Sequence, residues 1–268
     1  MGFFSYLPVP ETSPFYLRQF GLPHLAAIAA LLVLAGLVVA YRKRLAAWPG
    51  EGRLRLVATV VALVFEISLH AIFWIESGWA AFVSNTIPFD LCAISLWLSV
   101  ALNATSRRWL FDVLYFWGWG ALASFLFADT HGSSWNTWRY YQYFAVHGYI
   151  LLTMTWFAAV KGYRPDLRSM ARASAVLLPL SIGIRLFDLA FQGPPWNFNF
   201  SFLVKPPDVG TPLDFLGSGW SYYLAFAGLA AVVFVLVALP WSFSARFWRW
   251  RRDPAGDTSL VPAPAPRD

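Results

Sequence analysis

Seven long runs of apolar residues constrain the fold of this chain more than any other feature of its sequence. They lie at residues 22–41, 54–74, 87–103, 109–127, 140–160, 171–191 and 220–241. Most are close to the roughly 20 residues that an α-helix needs to cross a bilayer. With 58% hydrophobic and only 13% charged residues, the composition does not fit a soluble domain. We therefore expect an all-α integral membrane protein, a bundle of seven transmembrane helices.

The basic residues alternate between the two sides of this predicted bundle. Most Lys and Arg residues follow spans one, three, five and seven, whereas the opposite side holds only Arg18, Arg139 and Lys205. Because short cytoplasmic loops carry the excess of positive charge, the N-terminus is predicted outside and the C-terminus in the cytoplasm. The net charge of +6 is then a topology signal, and no nucleic-acid partner is expected.

Composition divides the chain into three parts. Residues 1–21 are aromatic and are expected at the outer membrane interface, without the features of a cleavable signal peptide. Residues 22–250 form one membrane domain. Residues 251–268 contain Pro254, Pro262, Pro264 and Pro266 and almost no bulky apolar side chain, so they predict a disordered cytoplasmic tail.

Ionisable residues within the spans are the first candidates for function, because such groups are costly in hydrocarbon and tend to face a bundle interior or a cavity. They are Glu66, His70, Asp90, His147, Arg185 and Asp188. Counting about 1.5 Å per helical residue from the predicted outer ends places most of them, with the single cysteine Cys92, in the outer half of the membrane. The sequence thus predicts one polar pocket near the outer leaflet.

Each of these residues also has a purely structural interpretation. Glu66 with His70, and Arg185 with Asp188, have the spacing of pairs on one helix face, so each pair is as well explained by neutralisation within its helix. Asp112, four residues after Arg108, is expected to form an interfacial ion pair. A buried single cysteine is most often inert.

An ordered set of motifs favours chemistry at Cys92. The chain reads IPFDLCAIS at residues 87–95, YQYFAVH at 141–147, NFSFL at 199–203 and LDFLG at 213–217. Together these resemble the YwaF-like family of integral membrane proteins, the bacterial relatives of eukaryotic transmembrane protein 164. The resemblance covers about residues 54–223, and its specificity comes from the order of the motifs.

The resemblance implies acyl transfer between membrane glycerophospholipids, with a cysteine and a histidine that match Cys92 and His147. It also implies residence in a bacterial cytoplasmic membrane. The sequence departs from the family pattern at Asp90, where His or Gln is usual, and at Arg185 and Asp188, where asparagines are usual.

The chemistry assigns a role to each candidate. Cys92 would attack the ester carbonyl of a phospholipid, with His147 as base and then as acid, and a lysophospholipid or water would take the acyl group. Asp90, Glu66, His70 or Gln142 would orient the imidazole.

Substrate binding is expected from Arg185 at the phosphate, with Asp188, Asn199 and Lys205 nearby. This requires spans three and five to be neighbours. No metal and no cofactor is expected.

Two other interpretations stay open. The intramembrane residues Glu66, His70, Arg185 and Asp188 would also suit a transporter or a ligand-binding membrane protein with a pocket in the outer half of the bilayer. A metal site from Glu66, His70, Asp90 and His147 is the third, although the sequence has no H-E-x-x-H run or C-x-x-C pair.

Overall fold

The computed structural model describes residues 2–5 and 8–243, and this part of the chain is almost entirely helical. The helices are α1 (Leu22–Ala40), α2 (Arg42–Ala47), α3 (Glu51–Thr86), α4 (Leu91–Thr105), α5 (Arg108–Trp117), α6 (Trp119–Leu126), α7 (Trp138–Ala159), α8 (Leu167–Ala190) and α9 (Gly219–Ser242). Between α8 and α9 lie two short antiparallel strands, β1 (Gln192–Gly193) and β2 (Trp196–Asn197), and two turns of 3₁₀ helix at Phe200–Phe202 and Pro212–Leu216. The predicted tail at 251–268 lies outside the described residues.

Five described segments are long and apolar enough to cross a membrane. They are Leu22–Ala40, Glu51–Glu76, Arg108–Leu126, Leu167–Ala190 and Gly219–Ser242. The other two predicted spans, at 87–103 and 140–160, correspond to α4, an apolar helix of 15 residues, and to α7, which has 22 residues. The prediction of an all-α membrane protein is confirmed, while the seven-span count and the orientation stay predictions.

Helix α7 lies at the centre of the bundle, where it packs against α1, α3, α4 and α6. Because it is surrounded by protein, its polar groups pair with neighbouring helices. The Tyr149 hydroxyl lies 2.7 Å from Thr59 Oγ1 on α3 and accepts a hydrogen bond of 2.9 Å from Asn103 Nδ2 on α4. In contrast, α1 and α9 expose most of their apolar side chains, as helices in contact with lipid must.

Helix α3 breaks near its end at Gly78, which lies between the predicted spans two and three. Gly78 has φ 73° and ψ −173°, a left-handed φ that favours glycine. After this break the chain turns back, and Thr86 Oγ1 comes within 3.4 Å of His70 Nδ1. Helix α4 then begins at Leu91, so the end of α3 and the start of α4 lie at the same end of the bundle.

The N-terminal segment lies against the loop that precedes α7. The Trp138 backbone N–H donates to the Phe3 carbonyl at 2.7 Å. Gly132 has a positive φ of 78°, and a Cβ there would lie 2.6 Å from both the Tyr16 ring and the Val9 carbonyl oxygen. This close approach requires glycine and holds residues 9–16 against the loop.

At the opposite end of the bundle, Asp112 of α5 is completely buried and holds α5 and α8 together. It accepts a 3.0 Å bond from Arg108 Nε, as predicted, and its other oxygen accepts a 2.7 Å bond from Arg172 Nη1 on α8. Ser169 donates to the same carboxylate at 2.9 Å. The predicted ion pair is therefore confirmed and is part of a larger, buried network.

Candidate active site

Cys92 lies in the first turn of α4 and is half-buried. Its Sγ is 3.5 Å from the Ser124 hydroxyl on α6. The Ser124 hydroxyl itself donates to the Gly120 carbonyl at 3.2 Å, which leaves its oxygen lone pairs directed to the thiol. The one cysteine of the chain is thus a free thiol at the junction of α4 and α6.

His147 lies in the third turn of α7 and is half-buried. Its Nδ1 is 2.7 Å from the carbonyl oxygen of Tyr143, one turn earlier, and the imidazole lies against the Tyr143 ring with centroids 4.3 Å apart. A carbonyl oxygen only accepts, so Nδ1 carries the proton and Nε2 of the neutral ring carries the lone pair. This is the tautomer in which Nε2 acts as a base.

Tyr143 connects the thiol to the imidazole. Helix α4 packs against both α6 and α7, so the predicted spans three and five are neighbours as the hypothesis requires. The Tyr143 hydroxyl donates to the Ser124 carbonyl at 3.0 Å, and Ser124 is the residue whose hydroxyl lies 3.5 Å from the thiol. Among the described hydrogen bonds none joins Sγ to the imidazole directly. The thiol and the imidazole are therefore linked through Ser124 and Tyr143.

The same tyrosine is tied to the loop before α7. Its hydroxyl accepts a 3.3 Å bond from the Asp129 backbone N–H. Burial acts to raise the pKa of the Asp129 carboxyl, but hydrogen bonding and charge from His131, 3.3 Å away, outweigh it, and the pKa lies below its ordinary value. The charged Asp129 stabilises the loop that holds the Tyr143 hydroxyl.

The predicted orienting residues Glu66, His70 and Gln142 form one chain of contacts between α3 and α7. His70 Nε2 lies 3.4 Å from Glu66 Oε1, and Gln142 Nε2 donates to Glu66 Oε2 at 3.0 Å. Arg139 donates to Gln142 Oε1 at 2.5 Å. Arg139 was predicted only as a loop charge, although its place at the start of α7, three residues before Gln142, indicates this contact.

None of these side chains takes the third position of a catalytic triad in the described structure. The proton of His147 Nδ1 goes to a backbone carbonyl, and the Glu66 carboxylate contacts His70 and Gln142 instead. Asp90 is directed elsewhere, since its Oδ1 accepts a 2.6 Å bond from the Ser201 backbone N–H. The orientation of His147 therefore comes from its own helix.

Arg185 is buried to 1% exposure on α8, where it holds the segment between α8 and α9. Nη1 donates to the Leu203 carbonyl, and Nη2 donates to the Gly219 carbonyl at 2.8 Å. The guanidinium also lies over the rings of Trp220 and Tyr223, at 4.6 and 5.1 Å from their centroids. Both Nη groups thus donate to backbone carbonyls, and a phosphate that binds Arg185 would have to displace these carbonyls.

The other predicted substrate-binding residues lie around the same segment. Asp188 is fully buried one turn after Arg185, and no direct ion pair joins the two within the described residues. Asn199 closes a tight loop, because its Oδ1 accepts from the Val204 and Lys205 backbone N–H groups at 3.1 Å. Lys205 is exposed and lies 3.0 Å from Asp208. Of the four, only Lys205 has its charge at an open surface.

In the described part of the chain, no group of three or more His, Cys, Asp or Glu side chains is arranged to hold a metal ion. Of the four residues of the alternative metal site, Glu66 and His70 contact each other, whereas Asp90 bonds to Ser201 and His147 to the Tyr143 carbonyl.

The helical bundle and its apolar segments define an all-α integral membrane protein. The chain belongs to the TMEM164 family, whose model matches residues 19–238 and so includes every candidate residue named above. Neither the curated proteins nor the solved structures gave a significant match.

Proposed function

We propose that this protein is a membrane-embedded acyltransferase that moves a fatty acyl group from a glycerophospholipid to a lysophospholipid through a thioester on Cys92. His147 is the general base and acid. The observation that carries the proposal is the arrangement around Ser124 and Tyr143: the Ser124 hydroxyl lies 3.5 Å from the thiol, the Ser124 carbonyl accepts from the Tyr143 hydroxyl, and the Tyr143 ring lies against the imidazole. A nucleophile and a base on two packed helices are the parts that covalent acyl transfer needs.

In the first half-reaction, Cys92 Sγ attacks the ester carbonyl carbon while His147 Nε2 takes the thiol proton. The carbon–oxygen bond of the ester then breaks, and Nε2–H gives the proton to the departing lysolipid oxygen. The acyl group stays on sulfur as a thioester. Because Nδ1 is held by the Tyr143 carbonyl, the same nitrogen, Nε2, accepts and returns the proton.

In the second half-reaction, the hydroxyl of an acceptor lysophospholipid attacks the thioester carbonyl. Nε2 takes the hydroxyl proton, the carbon–sulfur bond breaks, and the proton returns to sulfur. Water in place of the lysophospholipid gives a free fatty acid, so exclusion of water decides between transfer and hydrolysis. The missing direct contact between sulfur and imidazole is compatible with this scheme, since catalytic hydrogen bonds often tighten only with substrate bound.

The finer topology belongs to the same proposal. Seven spans, with the N-terminus outside, would put the start of α4 and the start of α7 near the outer leaflet of a bacterial cytoplasmic membrane. Phospholipid would then reach Cys92 from that leaflet. Cysteine accessibility to a membrane-impermeant maleimide in intact cells tests this orientation.

The function is tested by acyl exchange in proteoliposomes that contain a labelled phospholipid donor and an unlabelled lysophospholipid. Wild type is expected to transfer label, whereas His147→Ala and Cys92→Ala are not. Solute or ion flux through the same vesicles measures the transporter alternative, and flux without acyl transfer would favour it.

A further inference from the structure

Ser201 joins the segment between α8 and α9 to the start of α4 through three hydrogen bonds to three consecutive residues. Its backbone N–H donates to Asp90 Oδ1 at 2.6 Å, and its hydroxyl donates to the Phe89 carbonyl at 3.0 Å. The Leu91 backbone N–H donates to the same hydroxyl at 2.7 Å. These are the three residues directly before Cys92.

The start of α4 depends on this contact. Asp90 is the N-cap residue, but its side chain makes no capping bond to its own helix. The first backbone N–H of α4 is satisfied by the Ser201 hydroxyl, and the Asp90 carboxylate holds Ser201 in return. The position of the thiol is therefore set by a residue about 110 positions further along the chain.

Ser201 has a strained backbone conformation, which is stabilised by contacts to its neighbours. Its φ is +54°, in the left-handed region where a serine is uncommon and where the backbone is strained. A strained backbone conformation persists only where surrounding contacts stabilise it, and hydrogen bonds to the two residues that follow Ser201 do so. Arg185 holds the Leu203 carbonyl, and Tyr222 Oη donates to the Phe202 carbonyl at 2.8 Å.

Aromatic packing completes the connection between the two segments. Phe89 contacts Phe200 edge-to-face at 5.6 Å and Phe187 of α8 at 5.1 Å. Phe200 also stacks on Phe198 at 5.1 Å. The residues before Cys92 are thus packed against the same segment that contains Ser201.

We infer that Ser201 is a positioning residue for Cys92, which fixes the first turn of α4 so that the thiol stays in register with His147 on α7. The inference rests on the proposed function for its catalytic consequence, but the position of the thiol is measurable without it. It also accounts for Asn199 and Arg185 as residues that shape the segment rather than bind lipid.

Two substitutions separate positioning from folding. Ser201→Ala removes the hydroxyl and keeps the backbone. Ser201→Gly also removes the hydroxyl, but glycine adopts a φ of +54° without strain, so the backbone of the segment is not destabilised. Ser221→Ala is the matched control, because the exposed Ser221 hydroxyl donates to the carbonyl of Ser218, the N-cap residue of its own helix, α9.

The first measurement is the rate of maleimide labelling, which reports on Cys92 alone because the chain has one cysteine. At pH 7 both Ser201 variants should label about 10-fold more slowly than wild type, since a displaced thiol no longer comes within reach of the proposed base, His147, as it reacts. At alkaline pH, where the thiol ionises without help, the difference should disappear. A general loosening of the fold would instead change labelling at both pH values, and equal rates at pH 7 would overturn the inference.

The second measurement is acyl transfer, in which kcat should fall by about 10-fold or more while KM changes little. Unchanged kcat in folded Ser201→Gly would also contradict the inference. If Ser201→Ala does not fold, Ser201→Gly decides alone. If wild type transfers no acyl group, the proposed function fails, and the labelling profile still decides the role of Ser201.

Discussion

His147 Nδ1 lies 2.7 Å from the carbonyl oxygen of Tyr143, so the tautomer of the imidazole is set by the backbone of its own helix. Serine and cysteine hydrolases commonly use a carboxylate or amide side chain for this purpose. A carbonyl fixes the proton equally well but adds no negative charge. The proposed base, His147, is therefore oriented by a backbone carbonyl, without the carboxylate that is the third member of a catalytic triad.

His147→Gln tests that arrangement. The glutamine side chain has similar bulk and polar groups but has no basic nitrogen, so acyl transfer should fall by about 10² to 10⁴-fold, the range contributed by general acid–base catalysis. The measurement is the initial rate of label transfer in proteoliposomes. Retention of more than a tenth of the wild-type rate would contradict a base at this position.

Tyr143→Phe separates the ring from the hydroxyl. The ring remains against the imidazole, while the bonds to the Ser124 carbonyl and the Asp129 N–H are lost. We expect the free energy of unfolding in detergent to fall by about 1–3 kcal/mol, because both partners are left unsatisfied. Acyl transfer should fall far less than in His147→Gln, and a loss as complete would show that the hydroxyl itself takes part in the chemistry.

The contact chain from Arg139 to His70 is expected to act on stability more than on chemistry. Glu66→Leu leaves Gln142 without its acceptor in a buried site, and should lower the free energy of unfolding by about 1–3 kcal/mol. Glu66→Gln keeps an acceptor oxygen and should cost less. Equal stability of Glu66→Leu and wild type would contradict the contact, and a rate loss in Glu66→Gln as large as that of His147→Gln would give Glu66 a catalytic role.

Arg185→Lys tests whether the guanidinium holds the segment between α8 and α9. Lysine is a single point donor and does not bond both the Leu203 and Gly219 carbonyls with the geometry of a guanidinium. We expect a loss of about 1.5–3 kcal/mol in the free energy of unfolding, as for a lost hydrogen bond to a charged group. An unchanged stability together with a raised KM for phospholipid would instead support the phosphate-binding role predicted from the sequence.

The sequence was sufficient for the fold class because a bilayer imposes a simple rule, that apolar stretches become helices. The sequence did not predict which of the helices lies inside the bundle, surrounded by the others. Helix α7 carries Gln142, Tyr149 and His147, and it lies at the centre because packing against other helices satisfies those groups. The extension of α3 beyond residue 74 was missed, since Glu76, Ser77 and Gly78 interrupt the apolar run and are typical of a loop.

For the candidate site, the sequence predicted which residues are unusual but not which ones meet. Glu66 and His70 share a helix, so their contact followed from spacing. Ser201 contacts the residues before Cys92 across about 110 positions, and such a long-range pair has no local signature. Arg185 and Asp188 have the spacing of a pair, yet Arg185 bonds to backbone carbonyls because the folded segment offers them at closer range.

The central claim, that Cys92 carries the acyl group, is tested most directly by purified wild type and Cys92→Ala in vesicles with a phospholipid whose acyl chain is labelled. Wild type should transfer label to lysophospholipid and should itself carry label that hydroxylamine removes, the behaviour of a thioester. Cys92→Ala should do neither while remaining folded. Undiminished transfer by folded Cys92→Ala would contradict the account.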